Sequence, residues 1–334
     1  MRKNESYNSS KERVKLDEQY KDLIEAFRAN RASVETDFSK SRKHSKDELY
    51  TDAHFVHMRK KGFEKKKEEI DASFDDEALE GVLWYMGSNS QIFEAEEYSE
   101  PGSDYDDYRN GVDVVFGIPS QEVGKFDTIF SVDATTATLE DEVAGKFLDV
   151  DGDPNNDSPG CNQIKYYKHE GRCTRLNCKP NYIVGASPAT IAEAVGKFDK
   201  CGDYVICPEP DEDFRRKILI ELLFESKAYT KACGLVKKRT DWTKRALEAH
   251  TAVSTACLES LRRSFEIDEK AEDKSNQLMA AVTEAMRKYQ KEDATFDAIV
   301  KEALRRDNKY RKQINGRKVN KAGKKNLKPV TNPA

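Results

Sequence analysis

Two short apolar runs constrain this chain more than any other feature: GVDVVFGI at 111–118 and FDTIFSVDA at 126–134. Both are rich in β-branched and aromatic residues and are flanked by Gly, Pro and Asn. That is the pattern of central strands buried on both faces. Each nevertheless carries an acid. Asp113 is flanked by Val112, Val114 and Val115, and Asp133 closes the run Ile129-Phe130-Ser131-Val132. An ionised carboxylate on a buried strand is costly, or titrates to neutral, unless it is paired.

The run DDEALEGVLWYMG, which precedes both strands, reads as a helix with Asp75 or Asp76 near its start and Gly87 as its stop. It presents Glu80, with Glu77 one turn earlier on the same face. Two or three carboxylates that converge from such elements are stable around Mg²⁺ (or Mn²⁺), which takes few protein ligands and completes its shell with water and phosphate. Alternatively, Asp113 and Asp133 cap turns or pair with Arg109 or Lys125. The cluster DYDDYRNG reads as a turn in which Asp104 and Asp106 are solvated, while Asp107 either supports the site from behind its ligands or is solvated with them.

Charge is distributed in blocks. Residues 1–70 carry 18 basic and 14 acidic side chains, residues 71–157 carry 3 and 23, and the remainder 36 and 24. The acidic centre suits a cation, and the basic flanks suit an anionic partner such as nucleic acid. The stretch from Leu304 to Ala334 has 11 Lys or Arg against one Asp and reads as a flexible basic tail from 307 onward. A solvated tail with no specific partner is the alternative.

The remaining pattern is helix over 12–30 and beyond, an edge strand in SQIFEAEEYS and a helix in TLEDEVAGKFLDV. Strands follow in NQIKYYKHEG and PNYIVGAS, then a helix opened by Pro188, a strand in DYVICPE, and helices only from Phe214. The expected division is a helical extension over 1–73, an α/β core over 74–210, a helical region over 211–306 and the tail. No run approaches a membrane span and no secretory apolar segment opens the chain, so a cytosolic protein is expected.

The stretches YDDYRNGVDVVFGI, FSVDATTA, IKYY and PNYIVGAS resemble the PD-(D/E)XK nuclease superfamily over roughly 74–208, and a group of uncharacterised bacterial proteins with that core. The resemblance implies a restriction-endonuclease-like αβββαβ fold with a mixed sheet. It also implies Mg²⁺-dependent phosphodiester cleavage, with DNA the preferred substrate. Asp113 matches the motif aspartate, Asp133 its acidic partner, and Glu80, or else Glu77, the helix glutamate. The motif lysine two residues after Asp133 is replaced by Thr135. Threonine can place a water but brings no charge, so a substitute cation is sought in Lys146 or Lys165. Without one, the protein binds nucleic acid but does not cut it.

Other sites compete. Asp149, Asp151, Asp153, Asn155 and Asp157 alternate like a calcium loop, although Pro154 and Gly160 stand where Gly and Glu belong. A helical scaffold with a Ca²⁺ loop is therefore a further alternative. His54 and His57 share a helical face near Asp52 and read as surface residues. The seven cysteines form no CxxC pair and read as reduced core thiols rather than a zinc site. Motifs for phosphate loops, dinucleotide folds, serine hydrolases and zinc proteases are missing.

Overall fold

The computed structural model describes residues 10–32, 37–38, 44–67, 73–94, 96–119, 128–151, 157–170, 172–201, 204–207, 211–236 and 240–325. Its elements in chain order are α1 (Ser10–Asn30), α2 (Lys46–Lys67), α3 (Ser73–Ser88), β1 (Tyr98–Pro101), α4 (Asp104–Asn110), β2 (Val114–Ile118), β3 (Thr128–Thr135) and α5 (Glu140–Asp151). Then come β4 (Cys161–His169), β5 (Arg172–Gly185), α6 (Pro188–Val195), β6 (Asp199–Cys201), β7 (Tyr204–Ile206), α7 (Glu212–Leu235), α8 (Asp241–Ser264), α9 (Lys274–Glu292) and α10 (Ala294–Lys325).

The fold is α/β. Five strands form a mixed sheet in the order β1-β2-β3-β5-β4; β1, β2 and β3 run antiparallel in turn, β3 and β5 parallel, and β5 and β4 antiparallel. The alternation of side chains along the two apolar runs explains their burial. Val114, Phe116, Phe130 and Val132 enter the main core, whereas Val115 packs with Ile164 and Tyr167 in a separate cluster.

Strand β5 belongs to two pairings in succession. Residues 172–180 pair with β4, and residues 181–185 pair with β3. Past Pro180 its other edge meets α7, where Glu225 accepts the Ile183 N–H at 3.0 Å and Glu221 accepts that of Gly185 at 3.1 Å. Two carboxylates one helical turn apart thus match two amides two residues apart on a strand. This satisfies groups that would otherwise be buried unpaired.

The flanking helices are not separate from the α/β unit. One core joins Leu23 and Phe27 of α1, Leu79 and Leu83 of α3, the sheet, Ile218 and Leu222 of α7, Val253 of α8 and Ile299 of α10. Several local expectations are corrected. The edge strand is confined to Tyr98–Pro101, because the Glu97 carboxylate draws in the N–H groups of Ile92 and Phe93 at 2.7 and 2.6 Å. Helix α3 runs through Gly87 to Ser88. The segment read as a strand in DYVICPE forms a small hairpin with β6, outside the main sheet. The segment read as a flexible tail is helical through Lys325, a continuation of α10. Among the described residues no helix is long and apolar enough to cross a membrane.

Candidate metal centre

The site begins with α4. Ser103 caps its N-terminus by accepting the Asp106 N–H, and Gly111 ends it in the left-handed region at φ 57°. This seven-residue helix replaces the expected turn, and Asp106 is fully buried rather than solvated. Its carboxylate accepts from Ser103 Oγ, Asn110 Nδ2 and the backbone N–H groups of Lys165 and Tyr166, all at 2.8 Å. Asp106 therefore ties α4 to β4 and takes no part in the site. Its neighbour Asp107 faces the other way, toward Arg31 and Asp113.

Asp113 enters β2 directly after this helix. Its N–H donates to Val132 O at 2.9 Å, and its carboxylate accepts the Ala134 N–H at 2.6 Å. Both contacts flank Asp133, so the two strand acids meet on adjacent strands. Asp133 is held by Lys146 of α5, whose Nζ donates to Asp133 Oδ1 and, at 3.2 Å, to Ala134 O. Gly111 completes the fit: a Cβ there would stand 2.7 Å from Asp133 Oδ2. Glycine is required twice over, by its backbone angle and by the carboxylate packed against it.

Glu80 of α3 supplies the third expected carboxylate and is 9% exposed. Glu77 turns aside and pairs with Arg28. The substitute cation is Lys146. Lys165 instead lies between Asp52, at 2.5 Å, and Glu48, at 2.9 Å, under α2. Thr135 is buried, and its hydroxyl accepts the Ala137 N–H at 3.1 Å.

One member of the site left no trace in the sequence pattern: Arg31, just past the end of α1. The Arg31 Nη2 atom lies 2.9 Å from Asp107 Oδ2 and 3.7 Å from Glu80 Oε2; Nε lies 3.8 Å from Asp104 Oδ1 and donates to Gly102 O at 3.1 Å. The pocket thus holds four carboxylates (Glu80, Asp107, Asp113, Asp133) against two cations, Arg31 and Lys146.

Its electrostatics follow from that imbalance. Burial first, then the charge of Asp133, raises Asp113 to about 6. Burial raises Asp107 to about 7 against the pull of Arg31, with Asp113 adding to the rise. Glu80 is pushed well above the carboxylate range by burial and by Asp113. Burial alone would lower Lys146, but Asp133 and Asp113 hold it above the usual lysine value. Burial is the first cause at all three acids, and neighbouring carboxylates add to it.

The donors fit Mg²⁺ or Mn²⁺ in kind, being anionic oxygens, with the buried Glu80 Oε2 left without a hydrogen-bond partner. Among the described residues no group of three or more His, Cys, Asp or Glu side chains is disposed to hold a metal ion. Mg²⁺ does not require such a group, since one or two carboxylates with waters and substrate phosphate suffice.

The other expected ligands lie elsewhere. His54 and His57 are exposed on α2. Helix α5 runs through Asp149 and Asp151, and Asp153 and Asn155 of the calcium-like loop fall outside the described residues. Cys161, Cys173, Cys178, Cys207, Cys233 and Cys257 form no disulfide. Compared with known proteins, the chain matches no family model, no curated protein and no solved structure.

Proposed function

We propose that the protein is a metal-dependent nuclease that hydrolyses phosphodiester bonds of nucleic acid, DNA in preference, on a restriction-endonuclease-like core. One observation carries the reading: Lys146 reaches from α5 onto Asp133, beside Asp113, and so supplies the charge that Thr135 lacks. The succession α3, β1, α4, β2, β3, α5, β4, β5, with three antiparallel strands and then β5 parallel to β3, supports the same reading once α4 and β4 are taken as additions to the expected αβββαβ order.

In this proposal Asp113 and Asp133 hold the ion, and Glu80 completes the set directly or through water. A bound Mg²⁺ would polarise a phosphoryl oxygen and lower the pKa of water. The chain's own groups do the rest. The Ala134 N–H fixes the Asp113 carboxylate, and Gly111 leaves room for that of Asp133. Lys146 Nζ orients the attacking water and offsets negative charge on the phosphate as it is attacked. Its side chain is 34% exposed, the most open of the site's groups, so substrate approaches from its side.

The test is incubation of supercoiled plasmid with Mg²⁺ or Mn²⁺, wild type beside Asp113→Asn. Cleavage by wild type alone is expected; equal cleavage by both would remove the assignment. Binding without cleavage is the second reading, favoured by Thr135 at the lysine position with its hydroxyl engaged by Ala137. It predicts retention of DNA by both proteins, with affinity that falls steeply as salt rises and no nicking.

A further inference from the structure

Arg31 comes from outside the segment that carries the strand acids, yet it lies among the carboxylates of Glu80 on α3 and Asp104 and Asp107 on α4. Its guanidinium lies over the Phe27 ring, 5.4 Å from the centroid, and donates through Nε to Gly102 O. Toward the acids its contacts are of another kind. The Nη2 atom stands 2.9 Å from Asp107 Oδ2 without hydrogen-bond geometry and 3.7 Å from Glu80 Oε2; Nη2 and Glu80 Oε2 are both fully buried, and neither makes a hydrogen bond. The attraction between them is Coulombic and lacks the directional, paired bonds of a structural Arg–carboxylate bridge. A buried charge pair that leaves its polar atoms unsatisfied is only weakly retained over a better partner.

We infer that Arg31 is a resident counter-ion of the carboxylate pocket, in competition with the divalent cation for Glu80 and Asp107, so that metal occupancy and docking of α1 oppose one another. The inference rests on the metal reading above. Its basis is charge. Lys146 contacts Asp133, and Arg31 is the positive group placed beside Glu80 and Asp107. A dication brought among the same oxygens meets a like charge a few ångströms away, and its binding is weakened accordingly. By linkage, whatever loosens α1 then tightens the metal, and the metal loosens α1.

The experiment is calorimetric titration of the full chain with Mn²⁺ at pH 8, with a thermal melt of each protein with and without the ion. Arg31→Met is expected to bind Mn²⁺ at least about tenfold more tightly than wild type and to melt lower without it. Arg31→Lys, which retains the charge, is expected to bind as wild type does. If Arg31→Met does not fold, Arg31→Gln serves, because its amide can still donate to Gly102 O. If wild type binds Mn²⁺ and the neutral variants bind it equally or more weakly, the counter-ion role is overturned while the metal reading stands. If none of the proteins binds Mn²⁺, the metal reading itself falls and takes this inference with it.

Discussion

Asp113→Asn isolates the energetic cost of the site. The change keeps the shape of the side chain and an oxygen that can accept the Ala134 N–H. In the folded chain burial, then Asp133, raises Asp113 to about 6; an unfolded chain ionises near 3.9. An acid whose folded pKa lies above its unfolded one binds more protons when folded. Its penalty is therefore absent below about pH 4, grows as the pH rises toward 6, and is constant above that. At about 1.4 kcal/mol per pH unit, a gap of roughly two units amounts to about 3 kcal/mol. Asp107 and Asp133 share part of that, so we assign about 1–2 kcal/mol to the substitution. For a chain of this length that is a rise of roughly 2–4 °C in Tm.

The assay is differential scanning calorimetry of both proteins at pH 8, 6 and 4, repeated at pH 8 with excess Mg²⁺. Asp113→Asn should melt higher at pH 8, show no advantage at pH 4, and lose part of its lead when Mg²⁺ is added, since only wild type has the ionised ligand to gain from it. A variant that melts lower at pH 8, or differs by the same amount at every pH, would refute the argument that surplus negative charge burdens this pocket.

Three more expectations follow from the geometry. Lys146→Met should lower single-turnover cleavage of a DNA duplex by about 100-fold or more, while a gel-shift titration shows DNA still bound. Asp106→Ala removes the acceptor for four donors, two of them the β4 amides of Lys165 and Tyr166, and should cost about 3–5 kcal/mol by urea denaturation; a cost under about 1 kcal/mol would contradict the tie. Gly111→Ala forces a Cβ into a left-handed residue and against the Asp133 carboxylate. It should cost about 2 kcal/mol and reduce cleavage as well, measured on the same preparation.

The elements that could be read from the sequence were those whose pattern has one physical solution. Apolar runs containing Val114, Val115, Phe116, Phe130 and Val132 had to be covered strands, and they are. Asp113 and Asp133 stood out because an acid in such a run needs a partner; the partner found is Lys146, the one Lys or Arg of α5. Helix α4 was missed although its signals were present: Ser103 at the N-cap, acids in the first turn and Gly111 after the last residue. A seven-residue helix too short to show periodicity looks like a polar turn, so Asp106 passed for a solvated residue. Arg31 left no signal because nothing local demands it. Its role exists only once α1 packs on α3 and brings the guanidinium to Glu80.

That packing also changes how the charge blocks are read. Part of the basic N-terminal region neutralises the acidic centre within the molecule: Arg28 pairs with Glu77, Arg31 faces Glu80 and Asp107, and Lys60 meets Asp104 at 2.6 Å. Positive charge spent in this way does not draw phosphate toward the pocket. Helix α10 is placed differently. It packs on α5, with the Arg306 guanidinium 4.8 Å from the centre of the Phe147 ring, next in sequence to Lys146. One turn further on, Lys309, Arg311 and Lys312 are exposed, and Arg311 meets Asp307 at 3.2 Å. On the nuclease reading, the phosphates beyond the scissile bond therefore meet the far end of α10 rather than the N-terminal helices. The salt dependence of DNA binding should accordingly weaken when Lys309 and Lys312 are neutralised, and persist when Arg28 and Lys60 are.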